Sequence, residues 1–266
     1  MSSHQPPGLA GTTVHPPAGL RRWPALLLAT WLGMAGAAAA DAPPASQPAG
    51  PAARTPLQPS AALLAAVRDY DAHRFVAARR AFERLARAGD AAARHNLAVM
   101  HLRGEVPQPD LRLALSLLEQ SAAGGFVTAQ FALGQLHDSG RLGRPEPGLA
   151  LGWYLQAAEA GSVDAQVEVA TAYYLGRGVA ADAMAAAEWY RKAATAGDVG
   201  AQYLLASMYE TGLGVAADLR LARYWYDVAG RNGDLAGALK ARALADGGHA
   251  APPGGGTQAP ARPAGL

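Results

Sequence analysis

The sequence contains no cysteine and carries almost no net charge. Without cysteine, neither a disulfide framework nor a lipid-modified N-terminal cysteine can form. The 23 basic and 21 acidic residues leave a formal net charge of +2, which is too small for the basic footprint of a nucleic-acid-binding protein. This excess comes from Arg21 and Arg22, because every acidic residue lies from Asp41 onward. The composition therefore argues against nucleic acid as a partner.

The sequence also lacks an apolar run of the ~20 residues that a membrane-spanning helix needs. The shorter run Ala25 to Gly36 follows the basic pair Arg21-Arg22 and precedes the small residues Ala38 to Ala40, an order typical of a secretory signal. We therefore expect residues 1–40 to be a signal peptide cleaved after Ala40. The mature chain would then be periplasmic or secreted, with no stable membrane span. An uncleaved anchor and export by the twin-arginine route are the alternatives.

Motifs for catalysis and metal binding are also missing. The sequence has no G-x-S-x-G elbow, no phosphate-binding loop and no pair of glutamates on a shared face. The run His137-Asp138-Ser139 has the residue types of a catalytic triad, but adjacency in sequence does not make three side chains converge. His95 and His101 lie on different helix faces, without a carboxylate to complete a zinc site. We predict no catalytic, cofactor-binding or metal-binding residues.

What the sequence does have is a period of 36 residues. Glycine recurs at this interval at Gly89, Gly125, Gly161, Gly197 and Gly233. A fixed period of this length indicates stacked supersecondary units rather than one closed globule. We number the repeats 1 to 4 as residues 89–124, 125–160, 161–196 and 197–232. A position is described below by its offset from the first glycine of its repeat.

Each repeat begins with a predicted amphipathic helix. Offset 4 is always alanine, offset 8 is aliphatic and offset 12 is His or Tyr, so these positions form a stripe on one side that is expected to be buried. Offset 9 is Ala or Gly, which allows a neighbouring helix to approach closely. The glycine at offset 15 is placed to end the helix in the left-handed conformation.

A second predicted helix follows a short loop. Offset 21 is Asp in three repeats and Glu146 in repeat 2, which predicts an N-cap. The helix then carries alanine at offset 25 and a bulky pair at offsets 28 and 29. We expect Trp153, Trp189 and Trp225 to fill the space between units rather than to form a stacking platform for sugars. Because neither helix can bury its stripe alone, the sequence predicts an all-α stack of helix–turn–helix units.

This pattern resembles the Sel-1-like repeat, a relative of the tetratricopeptide repeat. The shared residues are A-x-x-x-L-A-x-x-Y-x-x-G-x-G-V-x-x-D, then W-Y-x-x-A and a final G, and Ala201 to Gly233 matches them best. Val106 and Leu142 replace the loop glycine at offset 17, and repeat 1 has Leu117-Leu118 in place of Trp-Tyr. The resemblance covers about Ala61 to Gly247. It implies a right-handed α-solenoid that binds other proteins, usually without catalysis.

The segments that flank the four repeats differ in character. We expect residues 41–59, rich in Pro and Ala, to be a disordered linker, and residues 248–266, rich in Gly and Pro, to be a disordered tail. Residues 60–88 and 233–247 have helical patterns that diverge from the repeat. They are predicted to be capping units, since the ends of a solenoid must face water. The predicted solenoid therefore spans residues 60–247.

A partner-binding groove is predicted on the first helices, which line the concave surface in tetratricopeptide-like solenoids. Offsets 6, 10 and 13 share one helix face, and their residue types do not repeat as those of the stripe do. Together with offset 5 they supply aromatics, amides and a few charges, which suit a peptide groove. A merely solvated inner face is the alternative. The predicted partner-binding residues are Arg94, His95, Val99, Gln130, Phe131, Gln135, Asp138, Gln166, Thr171, Tyr174, Gln202, Tyr203, Ser207 and Glu210.

These patterns predict an exported, non-enzymatic scaffold or adaptor that binds a protein or peptide in the bacterial envelope. The alternative is a protein that binds peptidoglycan or exopolysaccharide of the cell wall through the same groove. A basic cluster near the N-terminal end of the solenoid has two interpretations, a solvated face or a docking site for an acidic partner. It consists of Arg79, Arg80, Arg84 and Arg87.

Overall fold

The computed structural model describes residues 59–247, and these form eleven α-helices and no strand. The first helices of successive units are α1 (Ala61–Asp71), α3 (Ala91–Arg103), α5 (Val127–Asp138), α7 (Val163–Leu175), α9 (Val199–Thr211) and α11 (Leu235–Gly247). The second helices are α2 (Phe75–Arg87), α4 (Leu111–Ala123), α6 (Pro147–Glu159), α8 (Ala183–Thr195) and α10 (Leu219–Arg231). Each helix packs against the next in chain order, so the predicted stack of helix pairs is confirmed.

The predicted signal peptide and tail, and almost all of the predicted linker, lie outside the described residues. Within residues 59–247, no helix is long and apolar enough to cross a membrane.

The second helices begin at the predicted N-caps in three repeats. In each, the aspartate at offset 21 accepts hydrogen bonds from two backbone amides of the first helical turn, which have no partner inside the helix. These residues are Asp110, Asp182 and Asp218. Repeat 2 differs, because the Glu146 side chain caps no amide and lies instead 3.0 Å from His137 Nδ1. Pro147 follows at the start of α6, where the missing N–H of proline costs nothing.

The loop between the two helices of a unit contains the glycines that the sequence predicts. Those at offset 15 all have φ between 69° and 73°, the left-handed conformation expected at a helix end. A second loop glycine, Gly214 at offset 17, has φ +70° and lies directly against the start of α8. A Cβ atom on Gly214 would meet the Ala183 carbonyl oxygen at 2.0 Å. The loop of repeat 4 therefore packs on the backbone of repeat 3 through a position that only glycine fits.

The core follows the predicted stripes. The residues at offsets 4, 8, 9, 25 and 29 are buried in all four repeats, including Tyr154, Tyr190 and Tyr226. The tryptophans at offset 28 are half-buried, and Trp189 and Trp225 each pack against two successive core clusters. The predicted role between units is therefore confirmed for Trp189 and Trp225.

Offset 12 is the exception in the stripe, because its residues are half-buried rather than buried. This position lies near the end of the first helix, beside the loop. In repeat 1, His101 Nδ1 accepts a hydrogen bond from the Asp110 amide at 3.1 Å, and in repeat 2 His137 contacts Glu146. These histidines tie the end of the first helix to the start of the second.

Candidate interaction surface

Five of the predicted groove residues are buried and offer no surface to a partner. They are His95, Val99, Phe131, Gln166 and Gln202. The His95 ring lies 5.3 Å from the ring of Phe126, and the Phe131 ring lies 5.6 Å from that of Tyr154. Because all five side chains, at offsets 5, 6 and 10, are buried, the prediction that they line an open groove is corrected.

The glutamines at offset 5 join successive units. Gln166 Nε2 donates to the Ala158 carbonyl at 3.3 Å, and Gln202 Nε2 donates to the Ala194 carbonyl at 3.1 Å. Both carbonyls lie in the last turn of the preceding second helix, where backbone oxygens lack a partner in their own helix. The two amides are therefore part of the solenoid.

The other nine predicted groove residues are half-buried or exposed. They are Arg94, Gln130, Gln135, Asp138, Thr171, Tyr174, Tyr203, Ser207 and Glu210. Thr171 and Tyr203 are among those that also hold helix pairs together, since Thr171 Oγ1 lies 3.1 Å from the Tyr190 hydroxyl and the Tyr203 ring lies 5.1 Å from that of Tyr226. Tyr174 is the most accessible, at 44% exposed. Partner binding by these nine residues stays a prediction.

A polar contact joins each of the first three pairs of successive units where their first helices end. In each, the residue at offset 16 reaches back to the end of the preceding first helix, at offset 13 or the equivalent position of the N-terminal capping unit. The three contacts are Glu105 Oε2 with the Tyr70 hydroxyl at 2.8 Å, Arg141 Nη2 with the Leu102 carbonyl at 2.8 Å, and Arg177 Nη1 with Asp138 Oδ2 at 3.3 Å. Arg177 also pairs with Glu168, at offset 7 of its own repeat, at 3.0 Å.

The junction between repeats 3 and 4 has apolar residues in these places. Tyr174, Leu204 and Leu213 stand at the offsets held by Asp138, Glu168 and Arg177 one junction earlier. Because Arg177 contacts both Asp138 and Glu168, the repeat indicates that their three counterparts lie near one another. Leu204 is 38% exposed and Leu213 is 42% exposed, so the cluster faces solvent together with Tyr174. We call these three residues the apolar junction.

Charged groups lie on both sides of the apolar junction. On one side lies Arg177, which pairs with Asp138 and Glu168. On the other, Glu210 accepts a hydrogen bond from the Tyr226 hydroxyl at 2.7 Å and pairs with Lys240 Nζ at 2.9 Å. The hydrogen bonds from Tyr226 and Lys240 lower the pKa of the Glu210 carboxyl, which therefore stays ionised at neutral pH.

The opposite end of α7 carries a further acidic residue close to another carboxylate. Asp164 lies at offset 3, four residues before Glu168, and therefore shares its helix face. Burial raises the pKa of the Asp164 carboxyl, and the negative charge of Asp198, the N-cap of α9, raises it further. Asp198 is thus the charged group that acts on Asp164, and the two carboxylates form an acidic pair at this end of α7.

The run His137-Asp138-Ser139 does not form a catalytic triad. His137 contacts Glu146, Asp138 pairs with Arg177, and Ser139 Oγ donates to the Leu136 carbonyl at 2.8 Å. The three side chains thus have separate partners, whereas a triad needs them hydrogen-bonded in series. Among residues 59–247, no group of three or more His, Asp or Glu side chains is arranged to hold a metal ion.

The predicted basic cluster lies on α2. Arg79 is half-buried and pairs with Glu83 one turn later, whereas Arg80, Arg84 and Arg87 are exposed. Exposed arginines of this kind are typical of a solvated helix face. Docking of an acidic partner here stays a prediction.

Leu204, Leu213 and Lys240 were not among the predicted surface residues, because they stand at offsets 7 and 16, outside the predicted groove positions. A signal was present at offset 16, where a charged residue in each of repeats 1 to 3 gives way to Leu213 in repeat 4. The replacement of a recurring charged residue by leucine at offset 16 therefore indicates the exposed apolar surface better than the variation in residue type at offsets 6, 10 and 13.

Comparison with known proteins supports the repeat assignment. The family model described as Sel1 repeat matches residues 91–126, 127–162, 163–198 and 199–234. Among solved structures, the chain is similar to a Sel1 repeat protein from Oxalobacter formigenes, at 29% identity and a TM-score of 0.59, over 63% of this chain and 49% of that one.

Two further structures match less closely. A protective antigen of uropathogenic Escherichia coli with an SLR fold is 25% identical with a TM-score of 0.41, over 70% of this chain and 49% of that one. Helicobacter pylori cysteine rich protein B is 20% identical with a TM-score of 0.37, over 46% of this chain and 92% of that one.

The chain spans about half the length of the first two of these structures. No curated protein matches it. Sel1 repeat proteins are generally scaffolds for protein–protein interaction. The four matched repeats make up more than half of the sequence, and the chain belongs to the Sel1 repeat family.

Proposed function

We propose that this chain is an exported, non-enzymatic scaffold of the bacterial envelope that binds a partner protein at the apolar junction. The partner would lie across the exposed side chains of α7 and α9. Export rests on the signal-like sequence of residues 1–40, and binding rests on the surface described above.

The observation that carries the binding proposal is the exposure of Tyr174, Leu204 and Leu213, at positions that the repeat places near one another. An exposed apolar cluster bordered by charged residues is typical of a protein interaction site. Full burial of a large apolar side chain contributes about 1.5–3 kcal/mol, so covering these partly exposed groups provides a few kcal/mol. A difference of this size in binding free energy is enough to favour a specific partner over an unrelated protein.

Binding is tested by affinity capture with the full chain as bait and an envelope extract as the source of partners. The informative variant is Leu213→Arg, which puts into repeat 4 the residue type found at this offset in repeats 2 and 3. The matched control is Leu149→Arg, the same change at a leucine of α6 that is 55% exposed. We expect a protein that wild type and the control capture equally and that Leu213→Arg captures about tenfold less, on quantitative mass spectrometry.

Equal capture by all three baits would show that the apolar junction is not the binding surface. Recovery of wall fragments in place of a protein would favour the cell-wall alternative. Export is tested separately, by mass spectrometry of the N-terminus of the protein from the envelope fraction. The proposal expects Asp41 as the first residue, and recovery of the uncleaved chain from the cytosol would refute it.

A further inference from the structure

We propose that the segment bound at the apolar junction is basic, with a large apolar side chain and a lysine or arginine about four or five residues from it. This inference rests on the proposed function and names the chemistry of the partner. It is carried by three features of the exposed surface of α7 and α9.

The first feature is the anchor. Leu204, Leu213 and Tyr174 stand at the repeat positions of Glu168, Arg177 and Asp138, which are joined by contacts one junction earlier, and all three are more than one-third exposed. Neighbouring units offer no equivalent apolar site, because Arg177 stands at the earlier junction and the pair Glu210–Lys240 at the later one. One apolar side chain of a partner is therefore held at this point along the solenoid.

The second feature is the sign of the surrounding charge. Carboxylates outnumber cations around the apolar junction and along the adjoining surface of α7 and α9. The acidic residues are Asp138, Asp164, Glu168, Asp198 and Glu210, and the basic ones are Arg177 and Lys240. The two cations already pair with carboxylates of this set, whereas the charge of Asp198 adds to that of Asp164. A basic segment complements this surface and an acidic one is repelled.

The third feature is the distance between the anchor and the acidic pair Asp164 and Asp198. Asp164 and Tyr174 stand ten positions apart on α7. At about 1.5 Å of rise per residue, this separation is about 15 Å along the helix. An extended peptide advances about 3.3 Å per residue, so four or five residues span it. The spacing of the partner's apolar and basic residues follows from this length.

The test uses fluorescence anisotropy with the full chain and three labelled synthetic peptides. The first peptide carries a tryptophan and two lysines at the inferred spacing, the second has glutamates in place of the lysines, and the third has alanine in place of the tryptophan. We expect the first to bind at least tenfold more tightly than either of the others. Added salt should weaken its binding, since exposed charges are screened.

Three variants assign the binding to the surface. Leu213→Arg should weaken the basic peptide about tenfold, and the control Leu149→Arg should leave it unchanged. Asp164→Asn should weaken it about two- to fivefold, as expected for an exposed charge contact. The same substitution should leave the low affinity for the glutamate peptide unchanged or slightly higher, because it removes a negative charge that repels that peptide. Because Asp164 repels Asp198, its replacement should not destabilise the fold, and thermal denaturation checks this.

Failure of the basic peptide to bind, or equal binding of the glutamate peptide, would overturn this inference. The proposed function would still stand if a captured envelope protein depended on Leu213. If capture also proved independent of Leu213, both proposals would fall. The two experiments therefore separate an error about the partner's chemistry from an error about the surface.

Discussion

His95 should make the solenoid lose stability as the pH falls below 7. This residue is 6% exposed and its Nδ1 atom has no hydrogen-bond partner in the described structure. Burial lowers the pKa of the His95 imidazole from 6.5 to about 4, with a smaller contribution from the positive charge of Arg103. The unfolded chain therefore takes up a proton at this residue at a higher pH than the folded chain does.

The sign and size of the effect follow from this difference in pKa. Stability from His95 is fully present above pH 6.5, falls as the unfolded state becomes protonated, and is fully lost below about pH 4. One pKa unit corresponds to about 1.4 kcal/mol, so the total loss is about 3 kcal/mol, of which about 2 kcal/mol falls between pH 7 and pH 5. This is a large share of the stability of a typical domain.

The assay is urea unfolding of wild type and His95→Phe, followed by far-UV circular dichroism between pH 7.5 and pH 4. Phenylalanine is the matched replacement, because repeat 2 buries Phe131 at the same offset. Other titrating groups also contribute, such as Asp164, whose raised pKa has the opposite effect on stability at low pH. The difference between the two proteins isolates His95. If both lose stability in parallel from pH 7 to pH 5, the burial argument is refuted.

Two further predictions concern the backbone and are measured by thermal denaturation. Gly214→Ala should destabilise the protein by more than about 2 kcal/mol, because its Cβ would meet the Ala183 oxygen at 2.0 Å in a left-handed conformation. Gly200→Ala on α9 should instead stabilise it by about 0.5–1 kcal/mol, because its Cβ would meet only Asp198 Oδ1, at an ordinary contact distance of 3.4 Å. Equal effects would show that the loop contact is not tight. Asp182→Ala should cost about 1 kcal/mol through the lost N-cap. The same change at Glu146, which caps no amide, should cost less, and a larger loss there would contradict the capping assignment.

The repeat and its core could be predicted from the sequence because they depend on residues that recur. Offsets 4 and 9 must be small for helices to pack closely, and offset 15 must adopt a left-handed conformation. These requirements are the same in each unit, so the same residue types recur in the sequence. The tyrosines at offset 29 follow the same rule. Glu146 shows the limit of this reasoning, since a residue of similar charge at a capping position made a different contact, with His137.

The surface was harder to predict, because variation in sequence has more than one cause. His95 and Phe131 differ in type at offset 6, yet both are buried, each against its own aromatic neighbour. The glutamines at offset 5 looked available for a ligand, whereas Gln166 and Gln202 bind carbonyls of the preceding helix. Which helix a polar side chain faces depends on the packing angle between units, and the sequence period does not contain that angle.

The apolar junction shows how a repeat protein can gain a binding site without weakening its stack. Repeats 3 and 4 remain joined away from it, through the bond from Gln202 to the Ala194 carbonyl and the contact of Gly214 with Ala183. The polar contact that Leu213 replaces is partly exposed in the preceding repeats, and contacts of that kind contribute only about 0–1 kcal/mol. Its loss therefore costs little, and it leaves three apolar side chains open to a partner. For the same reason, Leu213→Arg should change the unfolding free energy by less than about 1 kcal/mol while it weakens binding about tenfold, and a much larger change in stability would show that this surface serves the fold.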